Sequence, residues 1–133
     1  MSRTLAMIHT ISGLAPTMQA LSKELMPEVD TFHIADEAVL RMGLAAGGLT
    51  PVMYRRVCDD AVFAEMAGAD VVLVTCSSIS PCVDVARKMV SIPVLKIDEP
   101  MADQAIAMGR RIGVAATAPT TLKPTTEQVA ERA

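Results

Sequence analysis

The chain has 133 residues, a formal net charge of −3 and a pI near 5.3, so it carries no electrostatic footprint for nucleic acid. Half of it is apolar (51%), yet with one Tyr, two Phe and no Trp the core must be filled by aliphatic side chains and ten flexible Met. No apolar run reaches the length of a membrane span and Met1 to Leu5 lacks the layout of a signal peptide, so a cytoplasmic protein without a membrane partner is expected.

Taken in order, strand and helix patterns alternate. Leu5, Met7 and Ile8 predict a first strand ending at His9 and Thr10, followed by a turn at Ser12 and Gly13. Pro16 then starts a helix in which Leu14, Met18, Leu21 and Leu25 share one face, and Pro27 stops it. A second strand spans Val29 to Ala35, with Phe32 and Ile34 on one side and His33 on the other. Asp36 and Glu37 suit the positive end of a short helix through Leu44. Gly47 and Gly48 break it, and Thr50 with Pro51 caps a helix running to Ala67, closed by Gly68. Val57, Ala61 and Ala64 give that helix a small-residue face suited to a sheet; Cys58 reads as a core residue.

The next stretch, Asp70 to Ser80, reads D-V-V-L-V-T-C-S-S-I-S. Val71 to Val74, with Thr75, is β-branched and too short for a helix, so it predicts a buried strand that delivers Cys76 at its carboxyl end. Pro81 opens a helix to Val90, which sets the thiol beside free helix N–H groups, where a carboxylate or phosphate is favoured. Ligands of open α/β sheets gather at this end of the strands. Three cysteines without C-x-x-C spacing argue against a disulfide framework and a zinc site, and Cys82, in the first turn of the helix, suits either a contact with the site or, more readily, a buried structural role.

Beyond it the pattern gives a strand at Val94 to Ile97, a helix from Met101 to Met108 closed by Gly109, a fifth strand at Ile112 to Ala116 and a last helix starting at Pro124 and Thr125 to Gln128. Asp98 and Glu99 follow a strand end and suit either a turn or the cleft. Arg55, Arg56, Asp59 and Asp60, like Asp84, Arg87 and Lys88, read as solvated outer faces. The alternation predicts an α/β fold, a parallel sheet with helices on both faces. Ala15-Pro16-Thr17 and Ala118-Pro119-Thr120 occupy the same place after two strands, so either a second copy of the unit begins or a common loop tripeptide recurs.

The order of an S-G loop, G-A-D-V-V-L-V-T-C-S-S, P-V-L-K-I-D-E-P-M and R-I-G-V-A-A-T-A-P-T-T-L-K-P-T resembles the aspartate/glutamate/hydantoin racemase superfamily. The resemblance implies a flavodoxin-like, racemase-type first domain over residues 1–110, with 111–133 as the start of a second domain most of which lies beyond Ala133. It implies Cys76 as one of two catalytic cysteines acting on opposite faces of a carbon next to a carboxylate. Ser77 and Ser78, with Thr117, Thr120 and Thr121, would hold the substrate carboxylate, and Ser12 and Gly13 would line the same site. No metal or organic cofactor is implied; the partner is a small carboxylate-bearing acid, and the chain is expected to form a homodimer that covers the strand edge near Ile112.

Racemisation needs a base on one face of the carbon and an acid on the other, because one group returning its own proton restores the starting hand. Neither Cys58 nor Cys82 lies where the second-domain cysteine belongs in the family pattern. Three functions are therefore expected in turn: a cofactor-independent racemase or epimerase; a single-cysteine decarboxylase or isomerase of the same superfamily; and a non-catalytic domain that binds a small acid or a partner.

Overall fold

The computed structural model describes residues 2–133 and consists of a four-stranded sheet with helices on both faces. The strands are β1 (Thr4–His9), β2 (Asp30–Ala35), β3 (Val71–Val74) and β4 (Val94–Lys96). They are hydrogen-bonded in the order β2-β1-β3-β4, and every pair is parallel. In such a sheet the chain reverses direction of growth between β1 and β3, so their carboxyl ends flank the crevice in which ligands of this architecture bind.

Six α-helices connect and cover the strands: α1 (Leu14–Leu25), α2 (Glu37–Ala46), α3 (Pro51–Met66), α4 (Ser80–Ala86), α5 (Glu99–Met108) and α6 (Pro119–Arg132). The core lies on the α3 side. There Ala6, Ile8, Val72 and Val74 form one cluster with Val57, Ala61 and Ala64 of α3 and Val83 and Ala86 of α4. Small residues on α3 let its backbone lie close to the sheet, as the spacing predicts. Gly47, at φ 71°, ends α2 in the left-handed conformation that glycine adopts without strain. Gly43 marks a close approach of α2 to α3: a Cβ there would sit 2.9 Å from Met53 Cε, the flexible end of that side chain.

Three expectations are corrected. Ile112 to Ala116 is not a strand, because no strand of the sheet lies beside it to complete a ladder; the segment after α5 leaves the sheet in irregular, largely exposed backbone. The last helix begins at Pro119, not at Pro124, which lies inside it. Pro119 takes the first-turn position where its missing N–H costs nothing. The third correction concerns charges. Asp60 is buried, and Arg56 donates from Nε to the buried Asp36 carboxylate at 2.8 Å. Asp60 falls on the same stripe of α3 as Val57, Ala61 and Ala64, so the helix turns its carboxyl inward whatever its polarity. Burial, reinforced by the neighbouring Asp36, raises the Asp60 pKa to about 7.

Candidate active site

Cys76 stands at the carboxyl end of β3 in extended conformation (φ −123°, ψ 116°), and a single 3-10 turn, Ser77–Ile79, follows it directly into α4. The thiol is half-buried against the edge of the core cluster. The other two cysteines are buried. Burial pushes the Cys82 thiol up to about 12, and burial also raises that of Cys58, so both remain protonated and enclosed. Of the three thiols, Cys76 alone combines solvent access with a strand end and a helix start.

Ser78, in the 3-10 turn, is buried, and its hydroxyl lies 2.8 Å from Thr120 Oγ1 and 3.0 Å from Thr121 Oγ1. These contacts span 42 and 43 residues of sequence and fasten the first turn of α6 to the turn after Cys76. Three of the predicted binding residues therefore meet within hydrogen-bond distance. Ser77 and Thr117 share none of these bonds; Ser77 is half-buried and Thr117 exposed. Thr120 and Thr121 stand in the first turn of α6, so the cluster also lies at the positive end of a helix.

Ser12 and Gly13 lie after β1, across the crevice from β3, and both are exposed. Glu37 at the start of α2 holds Ser12: its Oε1 accepts from the Ser12 N–H at 3.0 Å and from the Ser12 hydroxyl. Those two bonds keep the Glu37 carboxyl below its ordinary range. The sequence marked Glu37 only as a helix-start acid. Its role as the anchor of the Ser12 loop depends on β1 and β2 being neighbours. Asp98 and Glu99 are also spoken for: buried Asp98 accepts from the Ser80 hydroxyl at 3.3 Å, and Glu99 pairs with Arg87 and Arg132.

A cavity of about 290 Å³ opens on the other side of Ser78 and Thr120, between α2, the start of α3 and α6. Its walls are mainly apolar, with Leu40, Leu49, Met53 and Ile79, and Tyr54 supplies a phenol. Cys76 does not line it. The chemistry of the strand end and the volume of the cavity therefore meet at the Ser78–Thr120 contact. Among the described residues no cluster of three His, Cys, Asp or Glu converges as a metal site would require. No helix in the structure is long and apolar enough to cross a membrane.

A family model described as Asp/Glu/hydantoin racemase matches residues 9–133. The chain belongs to the Asp/Glu/hydantoin racemase family. The racemase resemblance carried by the T-C-S-S and A-T-A-P-T-T segments is thereby borne out. No curated protein sequence gives a significant match. Among solved structures, the glutamate racemase from Aquifex pyrophilus superposes with a TM-score of 0.76 at 22% identity, over 97% of this chain and 51% of that one. At that identity the likeness speaks to the fold, and it supports the racemase-type α/β architecture. The chain spans about half the length of that racemase.

Proposed function

We propose that the chain contributes one half of a cofactor-independent racemase or epimerase site, in which the Cys76 thiolate removes or returns the proton on the carbon next to a carboxylate. The observation that carries this reading is the convergence of the Ser78, Thr120 and Thr121 hydroxyls beside the strand end that bears Cys76. Hydroxyls in the turn after Cys76 and at the start of α6 stabilise a carboxylate and the enediolate charge that develops on it as the α-proton leaves. Ser77 and Thr117, with Ser12 and Gly13 on the Glu37-anchored loop, complete the binding side. Residues 1–110 form the first domain in this reading, and 111–133 open a second one that supplies the opposing acid. Two chains facing each other as a homodimer would close the cleft in the same way.

A thiol removes a proton only as the thiolate, so the base role of Cys76 relies on the groups that surround it at the strand end. One base with no acid opposite exchanges the α-proton with solvent and restores the same hand. The buried, protonated Cys82 and Cys58 cannot supply the second face. That limit supports the single-cysteine decarboxylase or isomerase as the second reading, since delivering one proton to one face requires one thiol.

The test is incubation of the chain in D2O with L- and D-aspartate, glutamate and 5-substituted hydantoins, followed by NMR of the α-proton and by optical rotation. Exchange that disappears in Cys76→Ala supports the reading, and exchange with retained hand identifies a half-site. Absence of exchange and of inversion for every acid, together with unaltered proton signals for 2-substituted malonates, would remove the enzymatic readings and leave small-acid binding.

A further inference from the structure

A row of hydrogen bonds crosses the sheet on its α1 side and ends one residue before Cys76. Gln19 of α1 places Oε1 2.8 Å from His33 Nε2; His33 Nδ1 lies 2.8 Å from His9 Nε2; and His9 Nδ1 lies 2.7 Å from Thr75 Oγ1. Thr31 also donates to Gln19 Oε1 at 2.8 Å. His9 is fully buried and stacks on His33 with ring centroids 5.1 Å apart.

The donor sense of the row follows from its end. An amide oxygen only accepts, so His33 carries its hydrogen on Nε2 and offers Nδ1 as acceptor. His9 must then donate from Nε2, which leaves its Nδ1 to accept from the Thr75 hydroxyl, whose single hydrogen is shared in a three-centre bond with the Ile8 carbonyl. Burial lowers the pKa of both rings, with His33 adding to the effect on His9, so both imidazoles are neutral near pH 7, as this arrangement needs. Every ring nitrogen is used, each imidazole accepting on one edge and donating on the other.

Thr75 is held at three points. Its N–H donates to the Ile8 carbonyl at 3.0 Å, and its one hydroxyl hydrogen is shared between that same oxygen at 3.1 Å and His9 Nδ1 at 2.7 Å. These bonds extend the β1–β3 tie one residue past the last strand pair, Ile8 with Val74. Side chains alternate along an extended backbone, so Thr75 points to the histidines and Cys76 to the opposite face. The row therefore cannot exchange a proton with the thiol directly. It can fix the backbone from which the thiol projects.

We infer that His9, His33 and Gln19 are positioning residues for Cys76, acting through Thr75 to fix the backbone from which the thiol projects. The inference rests on the proposed role of Cys76. Its test is the rate of iodoacetamide alkylation of Cys76, read by mass spectrometry from about pH 6 to about pH 9, where a free thiol begins to ionise. Thr75→Val keeps the side-chain shape and removes the hydroxyl. It is expected to slow Cys76 near neutral pH by about fivefold, the worth of one hydrogen bond, and to move the midpoint of the pH profile upward. Thr75→Ser restores the hydroxyl and is expected to return the profile to that of the wild type. Gln19→Leu, on a helix away from the core, is expected to act in the same direction more weakly.

The row is also read without any substitution, by ¹⁵N NMR of the two imidazoles, which should both carry hydrogen on Nε2. A Thr75→Val or Gln19→Leu chain with wild-type Cys76 kinetics, a Thr75→Ser chain that is not restored, or histidines in mixed tautomers would overturn the inference while leaving an activated Cys76 standing. A wild-type Cys76 no faster than buried Cys58 removes the proposed function, and this inference with it.

Discussion

On the α3 side of the sheet, Ala6, Ile8, Val72 and Val74 meet helices that offer Val57, Ala61, Ala64, Val83 and Ala86, and the only buried charge among them on α3 is Asp60. On the α1 side, Leu5 and Met7 share the face with His9, His33 and Thr75, while Leu73, Leu95 and Ile97 stay half-buried or exposed. The first side has apolar area to bury and little to hydrogen-bond; the second has hydrogen bonds to align and apolar area left over. Stability and positioning are thus divided between two faces of the same strands.

The sharpest way to break that division is to empty the α3 side. Ile8→Ala is expected to cost about 2–5 kcal/mol, the range for a fully buried aliphatic truncation, visible as a large fall in Tm and in the denaturant midpoint. Next in size is Asp60→Asn. The folded chain holds the Asp60 proton up to about pH 7, whereas a free carboxyl releases it near 3.8, so folding takes up a proton between those values and stability falls as pH rises through them. Asn removes that slope. It should stabilise the chain by about 1–3 kcal/mol above pH 7 and have little effect near pH 4, measured by urea unfolding across pH.

The α1 side carries the opposite sign. His9 and His33 have folded pKa values below the ordinary 6.5, so the unfolded chain binds their protons first and stability is lost as pH falls below that value. Thermal unfolding in the Asp60→Asn background should expose this loss on acidification, and His9→Asn should flatten it. The smallest effect is expected at Leu95→Ser. That side chain is 45% exposed on the open part of the α1 face, so the unfolding free energy should stay within about 0.5 kcal/mol of wild type, as read by urea unfolding.

Much of this division was written in the periodicity. Period-two strands, the small stripe of α3 and the thiol at the end of Val71–Val74 are local patterns, and all three appear where spacing put them. Asp60 shows the limit of reading by residue type: its spacing placed it in the buried stripe, and its charge argued for solvent. The segment Ile112 to Ala116 shows another, since a short apolar run becomes a strand only where a neighbouring strand offers hydrogen bonds. For the candidate site, the sequence supplied Ser78, Thr120 and Thr121 as names but not their meeting, which requires α6 to dock on the turn after Cys76. The histidine row was less legible still. His9 and His33 become diagonal neighbours only through the β1–β2 register, in which His33 stands opposite Met7 and His9 opposite Ala35.

Pro124 gives α6 two cooperative units instead of one. Having no N–H, it cannot donate to the Thr120 carbonyl, so the helical ladder is interrupted between the first turn and the rest. The first turn, which carries Thr120 and Thr121, is then held mainly by its grip on Ser78, while the distal part is anchored by the Arg132–Asp103 pair. Amide hydrogen exchange should resolve these as separate openings, with the amides of 120–123 exchanging before those of 127–132. The hydroxyl cluster beside Cys76 can come apart by melting one turn, without unfolding the sheet that aims the thiol.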